Sequence, residues 1–230
     1  AVAEEGAKAK ALLNQVIAAK GGLATLRGIK NIKAVTTATM SSPEGAGGQI
    51  EAETTTYLQY PNHVRVEMKA SPGVQIQVYD GDRGWVRDPG GVHDVPDAAL
   101  QDMAASLKRD TVAALLAAER GELRARLLPD VKDADGAARR VLELSSPSLE
   151  PLVLYVDPRT SLISKQAHVV RAPGQPLIEE IFSDYRPVDG VNVAFTAEVR
   201  AAGKLIVKRR LSAITFNAAL DPKLFTRPVN

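Results

Sequence analysis

The side chains able to do chemistry are few and scattered along this chain. His63, His93 and His168 are the only histidines in 230 residues. None has another histidine within a helical turn of it, and no His-Glu-x-x-His arrangement occurs, so a zinc site has no support and surface or strand-edge positions are expected for all three. The serines lack a Gly-x-Ser-x-Gly elbow, and with no cysteine there is neither a thiol nucleophile nor a thiolate metal ligand. Gly45 to Gly48 is glycine-rich, but no Gly-Lys-Ser/Thr follows and no helix begins there, so the stretch reads as a loop and not as a phosphate cradle. Asp80, Asp82, Asp157, Asp184 and Asp189 sit mostly beside glycine, proline or other turn residues, where a carboxylate accepts backbone hydrogen bonds. The expectation is therefore no catalytic residues, no metal, no cofactor, and a protein that is not an enzyme.

Composition points the same way. Apolar residues make up 45% and charged residues 24% of the chain, enough apolar material for a core and too much for a disordered chain. Aromatic residues are scarce, with Trp85 the only tryptophan, so the core must be built mainly from aliphatic side chains. The 29 basic and 27 acidic residues are interspersed, which is not the footprint of a nucleic-acid binder. Lys208-Arg209-Arg210 reads first as a solvated strand end, and second as a contact for phosphate or an anionic lipid surface. No apolar run approaches the length of about 20 residues that a membrane-spanning helix requires. The chain starts at Ala1 and not at a methionine, which favours removal of a signal peptide or another upstream segment, hence export. The absence of cysteine leaves the redox compartment open, and the oligomeric state is not encoded in any recognisable pattern.

The apolar residues recur with two periods. From Ala7 to Lys20, Ala9, Leu12, Leu13, Val16 and Ile17 fall on one helical face, and Gly21-Gly22 supplies a left-handed cap. From Ile29 the period becomes two. Val64, Val66 and Met68 alternate with Arg65, Glu67 and Lys69, and Val74, Ile76 and Val78 repeat the alternation, as in strands with one wet face. Turn residues punctuate them: Ser42-Pro43-Glu44-Gly45, Tyr60-Pro61-Asn62, Ser71-Pro72-Gly73 and Asp80-Gly81. After Val95-Pro96, Asp97 is placed to cap a central helix carrying Leu100, Met103, Leu107, Thr111, Ala114 and Leu115, ending near Gly121. Strands resume at Leu123–Leu128, Arg139–Leu144, Leu152–Val156, Leu162–Val170, Ile178–Tyr185, Val191–Arg200 and Leu205–Phe216, separated by turns such as Asp157-Pro158, Ala172-Pro173-Gly174 and Asp189-Gly190. No βαβ alternation is present. These elements imply an α+β, mainly β fold: one domain over residues 1–230, with a strongly curved antiparallel sheet of about 11–12 strands whose concave face carries the N-terminal and central helices.

Three segments, Asp80-Gly81-Asp82-Arg83-Gly84-Trp85, the stretch from Leu154 to Lys165, and Phe182-Ser183-Asp184-Tyr185-Arg186-Pro187-Val188-Asp189-Gly190-Val191, together with the opening Ala11-Leu12-Leu13 and Gly21 to Arg27, carry a family likeness. In their order and spacing the chain resembles the bacterial LolA/LolB-like lipoprotein carrier fold. It is also similar to domains appended to insulinase-like zinc peptidases. The resemblance implies a half-open barrel closed by helices over an apolar cavity, in a periplasmic carrier or sensor of lipid or of a lipidated protein, with another envelope protein as a possible partner.

A carrier of this kind needs an aliphatic inner face. The residues expected to line it are Val64, Val66, Met68, Val74, Ile76, Val78 and Trp85 on the strands, and Leu100, Met103, Leu107 and Leu115 on the central helix. The alternative is a filled core, in which those same side chains close on one another and the chain serves as a structural or interaction module, for example within a larger envelope protein such as an insulinase-like peptidase.

Overall fold

A computed structural model describes residues 2–41, 48–71, 73–170 and 173–229. The turn expected at Ser42-Pro43-Glu44-Gly45, most of the glycine-rich stretch, and the Pro72 and Ala172 positions of two further turns lie outside the described residues.

The elements run α1 (Val2–Lys20), α2 (Leu23–Gly28), β1 (Asn31–Ser41), β2 (Gln49–Gln59), β3 (His63–Ala70), β4 (Gly73–Tyr79), β5 (Gly84–Asp88), β6 (Gly91–Asp94), α3 (Asp97–Lys108), α4 (Thr111–Glu119), β7 (Arg124–Lys132), β8 (Ala138–Ser146), β9 (Leu149–Val156), β10 (Ile163–Val169), β11 (Leu177–Val188), β12 (Val191–Ala201) and β13 (Lys204–Phe216), with a final 3-10 turn at Pro222–Phe225. The strands form one open antiparallel sheet in the order β6-β5-β4-β3-β2-β1-β13-β12-β11-β10-β9-β8-β7. The mainly β class is therefore as the sequence implies, with thirteen strands in the sheet. The strand that alternation does not reveal is β6, four residues long and flanked by Gly90 and Pro96. No described helix is long and apolar enough to cross a membrane.

Contacts gather into two compact units, Ala1–Gly28 with Ala114–Ile206, and Ile29–Ala113 with Val207–Asn230. In the first, Ala9, Leu12, Leu13, Val16 and Ile17 are all buried on one face of α1, the face that the helical period picks out. The helix stops at Gly21 and Gly22, both with positive φ, and Gly22 N–H donates to the Ile17 carbonyl at 2.9 Å. Gly21 is also a close approach, because a Cβ there would stand 2.7 Å from the Gly190 carbonyl oxygen. Asn192 Nδ2 donates to the Ala19 carbonyl at 2.7 Å, satisfying one of the orphan acceptors at the helix end. Beneath lie cross-strand pairs of β8 and β9, Leu142 with Leu154 and Leu144 with Leu152, all at most 1% exposed. This is a close-packed aliphatic core.

The second unit is built on β1 to β6, α3 and the C-terminal segment. The continuous central helix expected from Asp97 to Gly121 is two helices. Asp97 does not act as the cap, since the N-cap of α3 is Pro96 and makes no side-chain hydrogen bond. The capping carboxylate is Asp110, whose Oδ2 accepts from Ala113 N–H at 3.0 Å and starts α4 afresh. The same oxygen accepts from the Tyr60 hydroxyl at 2.5 Å, so the break between the helices is tied to the end of β2. Burial first, then the nearby Asp110 charge and its hydrogen bond, push the Tyr60 phenol well above the ordinary tyrosine range.

Candidate functional site

In an antiparallel sheet, residues directly opposite one another share a face, so pairing decides which alternating sets coincide. β3 and β4 pair Val64 with Tyr79, Val66 with Gln77 and Met68 with Gln75, while Arg65 faces Val78, Glu67 faces Ile76 and Lys69 faces Val74. The two aliphatic sets expected to form one inner wall thus lie on opposite faces of the sheet. The cause is the hairpin. Ala70 pairs with Gly73, leaving two residues between the strands, and a two-residue connection sets even-numbered residues opposite odd-numbered ones.

The first face carries Val64, Val66 and Met68, all half-buried. The row through Val64 continues to Tyr79 and Gly84, and α3 sits on this row. A Cβ added to Gly84 would meet Leu100 Cδ1 at 3.0 Å and Met103 Sδ at 3.4 Å, so glycine there lets the helix close onto the strand. This puts Leu100 and Met103 on the same face of the sheet as Val64, Val66 and Met68. Leu107 is buried near the C-terminal end of α3, and Leu115 is fully buried in α4 and belongs to the other unit. Val66 and Met68 have polar flanks, Thr56 and Thr54 on β2 and Gln77 and Gln75 on β4, whereas Val64 lies between Leu58 and Tyr79.

Arg209 stands on this same face, a residue that the reading of Lys208-Arg209-Arg210 as a solvated strand end did not single out. It pairs with Ala38, which in turn pairs with Ala52, and the two small side chains leave room for an arginine stem. Lys208 and Arg210 point to the other face and are exposed, whereas Arg209 is half-buried. Burial holds its guanidinium below the ordinary arginine range. Period-two alternation within β13 is the signal that distinguishes it from its neighbours.

The opposite face carries Val74, Ile76, Val78 and Trp85. Val78 and Trp85 are a cross-strand pair and form, with Phe225, a buried cluster against which Tyr57, Ile76, Val92, Leu220 and Leu224 pack. Val78 is 0% and Trp85 2% exposed, so these two are core residues beneath the C-terminal segment. That segment is fixed by Arg65 Nη1 donating to the Leu224 carbonyl at 2.8 Å, and by Arg227 pairing with Asp94 at 3.0 Å. Val74, at the hairpin end, is exposed. Of the histidines, His63 is half-buried against Phe225 with ring centroids 5.2 Å apart, and His93 lies 3.5 Å from Asp88 on the short edge strand. Among the described residues no cluster of three potential metal ligands occurs.

The architecture has counterparts of known structure. A LolA superfamily protein from Nitrosomonas europaea superposes with a TM-score of 0.65 at 14% identity, over 95% of this chain and 97% of that one. This chain has a LolA-like fold. The likeness extends to an outer-membrane lipoprotein-sorting type of protein domain from Vibrio parahaemolyticus, with a TM-score of 0.61 at 13% identity over 94% and 97% of the two chains. A DUF1329 family protein from Desulfovibrio piger also superposes on this chain, with a TM-score of 0.64 at 12% identity over 94% and 96% of the two chains. No family model matches the sequence, and no curated protein matches it.

Proposed function

We propose that the chain works as one non-catalytic domain of LolA-like fold that holds a hydrophobic ligand, a lipid or the acyl chain of a lipidated protein, against the Val64, Val66 and Met68 face, as a carrier or sensor in the bacterial cell envelope. The observation that carries this reading is the incomplete burial of that strip, on the face where α3 meets Gly84, in a protein whose facing leucines on β8 and β9 are almost completely buried. Exposing an acyl chain to water costs about 0.8 kcal/mol per methylene, roughly 10 kcal/mol for a chain of membrane length, so a carrier must cover it with apolar surface. The polar flank of threonine and glutamine supplies hydrogen-bonding partners for an ester or amide next to the chain.

Uptake of a fluorescent fatty-acid probe tests the reading, together with native mass spectrometry for co-purifying lipid. The wild-type protein is expected to take up the probe. Met68→Glu is expected to abolish uptake while leaving the fold intact, because it sets a carboxylate in the middle of the strip. Undiminished uptake by a folded Met68→Glu protein would move the ligand elsewhere. No uptake by the wild type, and no lipid on extraction, would make the chain an interaction module with a filled interior.

A further inference from the structure

On the face of the second unit that bears Trp85, away from the Val64 strip, a cavity of about 450 Å³ opens beside the C-terminal segment. Its walls include Gln59, His63, Arg83, Trp85, Phe225 and Arg227. Register explains the convergence. Gln59 pairs with His63 across β2 and β3, and Trp85 pairs with Asp94 across β5 and β6, so side chains from four strands meet on one face. The volume is within the range of small-molecule sites.

The hydrogen-bonding capacity around it is unbalanced. Both carboxylates in the walls are engaged: Asp80 Oδ1 accepts from the backbone N–H groups of Asp82 at 3.1 Å and Arg83 at 2.8 Å, and Asp94 accepts from Arg227 at 3.0 Å. The donors are in surplus. Among the described residues, the side chains of half-buried Gln59 and His63 and of Arg83, exposed at the rim, have no protein hydrogen-bond partner, and the indole N–H of Trp85 is buried without an acceptor. Donors free of protein partners around a hollow suit an acceptor-rich occupant, and a carboxylate is the group that a guanidinium and an imidazole N–H hold best. Trp85 and Phe225, almost fully buried, close the apolar floor beside them.

We propose that this cavity binds a small organic carboxylate with a compact apolar or aromatic body, the carboxylate held by Arg83 and His63 and the body lying against Trp85 and Phe225. The site is on the other side of the sheet from the strip described above and does not depend on the acyl-chain reading.

Trp85, as the single tryptophan, gives one indole N–H resonance in the proton NMR spectrum of the full chain, and this is the reporter. Titration with benzoate is expected to shift it saturably. Benzylamine, with the same ring and the opposite charge, is expected to leave it in place, and so is inorganic phosphate, which has the charge and no ring. Arg83→Gln is expected to weaken benzoate binding about tenfold or more, the loss of a charge-assisted hydrogen bond, with fatty-acid probe uptake unchanged. A stationary indole resonance with benzoate overturns the proposal, as does an equal response to benzylamine. A saturable response to phosphate matching that to benzoate overturns the apolar half of the site. Wild-type affinity in both Arg83→Gln and His63→Gln, each confirmed folded by its remaining spectrum, removes the carboxylate contacts.

Discussion

The two units of the chain treat the same kinds of side chain differently. In the unit formed by residues 114–206 with the N-terminal helices, leucines pair with leucines across β8 and β9 and are sealed by α1. In the other unit, β3 presents Val64, Val66 and Met68 to a face that stays half-buried, and β4 turns its valines and isoleucine to the opposite side, where Val78 and Trp85 close on Phe225. A strand of alternating residues can thus serve a solid core or a partly open surface. Across the ladder stand leucine opposite leucine in β8 and β9, and glutamine opposite Val66 and Met68 in β3 and β4.

The largest expected effect lies in the sealed unit. Leu154→Ala removes a side chain 1% exposed and should cost about 2–5 kcal/mol, measured by urea denaturation. A cost below 1 kcal/mol would mean that this core collapses around the loss, and the contrast between the units would fail.

Next comes the link between helix break and sheet. Tyr60→Phe deletes the hydrogen bond to the Asp110 carboxylate and should destabilise by about 1.5–3 kcal/mol, as expected for a bond to a charged group. The same phenol provides a pH test. Its folded pKa is raised, so the folded state holds this proton more tightly than the unfolded chain does. The contribution is fully present below the unfolded tyrosine pKa of about 10 and is lost progressively above it. Unfolding free energies measured at increasing alkalinity should therefore fall, and fall less steeply in Tyr60→Phe. Tyr185, whose hydroxyl donates to the Ile163 carbonyl at 2.6 Å and whose pKa burial also raises, contributes in the same direction from the other unit. Identical slopes in wild type and Tyr60→Phe would show that the phenol is not held as described.

The smallest effect sharpens the comparison most. Val66→Ala on the half-buried face should cost about 1 kcal/mol or less, because part of that side chain is already in water. A loss as large as that of Leu154→Ala would show the face to be as tightly closed as the leucine core, and the two units would then differ in composition only.

Much of the architecture was legible from residue order. The helical face of α1 and its Gly21-Gly22 stop, the alternation of β3 and β4, and the hairpins at Asp189-Gly190 and Ala202-Gly203, with their positive φ values, all follow from local chemistry that needs no distant partner. Less of the candidate site was legible. Alternation reports which residues of one strand share a face, but joining two strands needs the register, and here one residue of parity separates a single wall from two opposed ones. The place of Ala70 opposite Gly73 was the deciding detail. Arg209 became visible as a half-buried residue through its pairing with Ala38, a contact 171 residues away in sequence.

The sequence by itself determined the class of fold, the order and approximate extent of its strands and the absence of a recognisable catalytic motif, because each of these rests on the periodicity and turn preferences of short stretches. Only the tertiary structure decided which aliphatic residues face α3, which are locked beneath the C-terminal segment, and that Gln59, His63, Arg83 and Trp85 surround one cavity. Those facts depend on ladders and packing between segments far apart in the chain, where burial and cross-strand pairing, not local propensity, set the outcome.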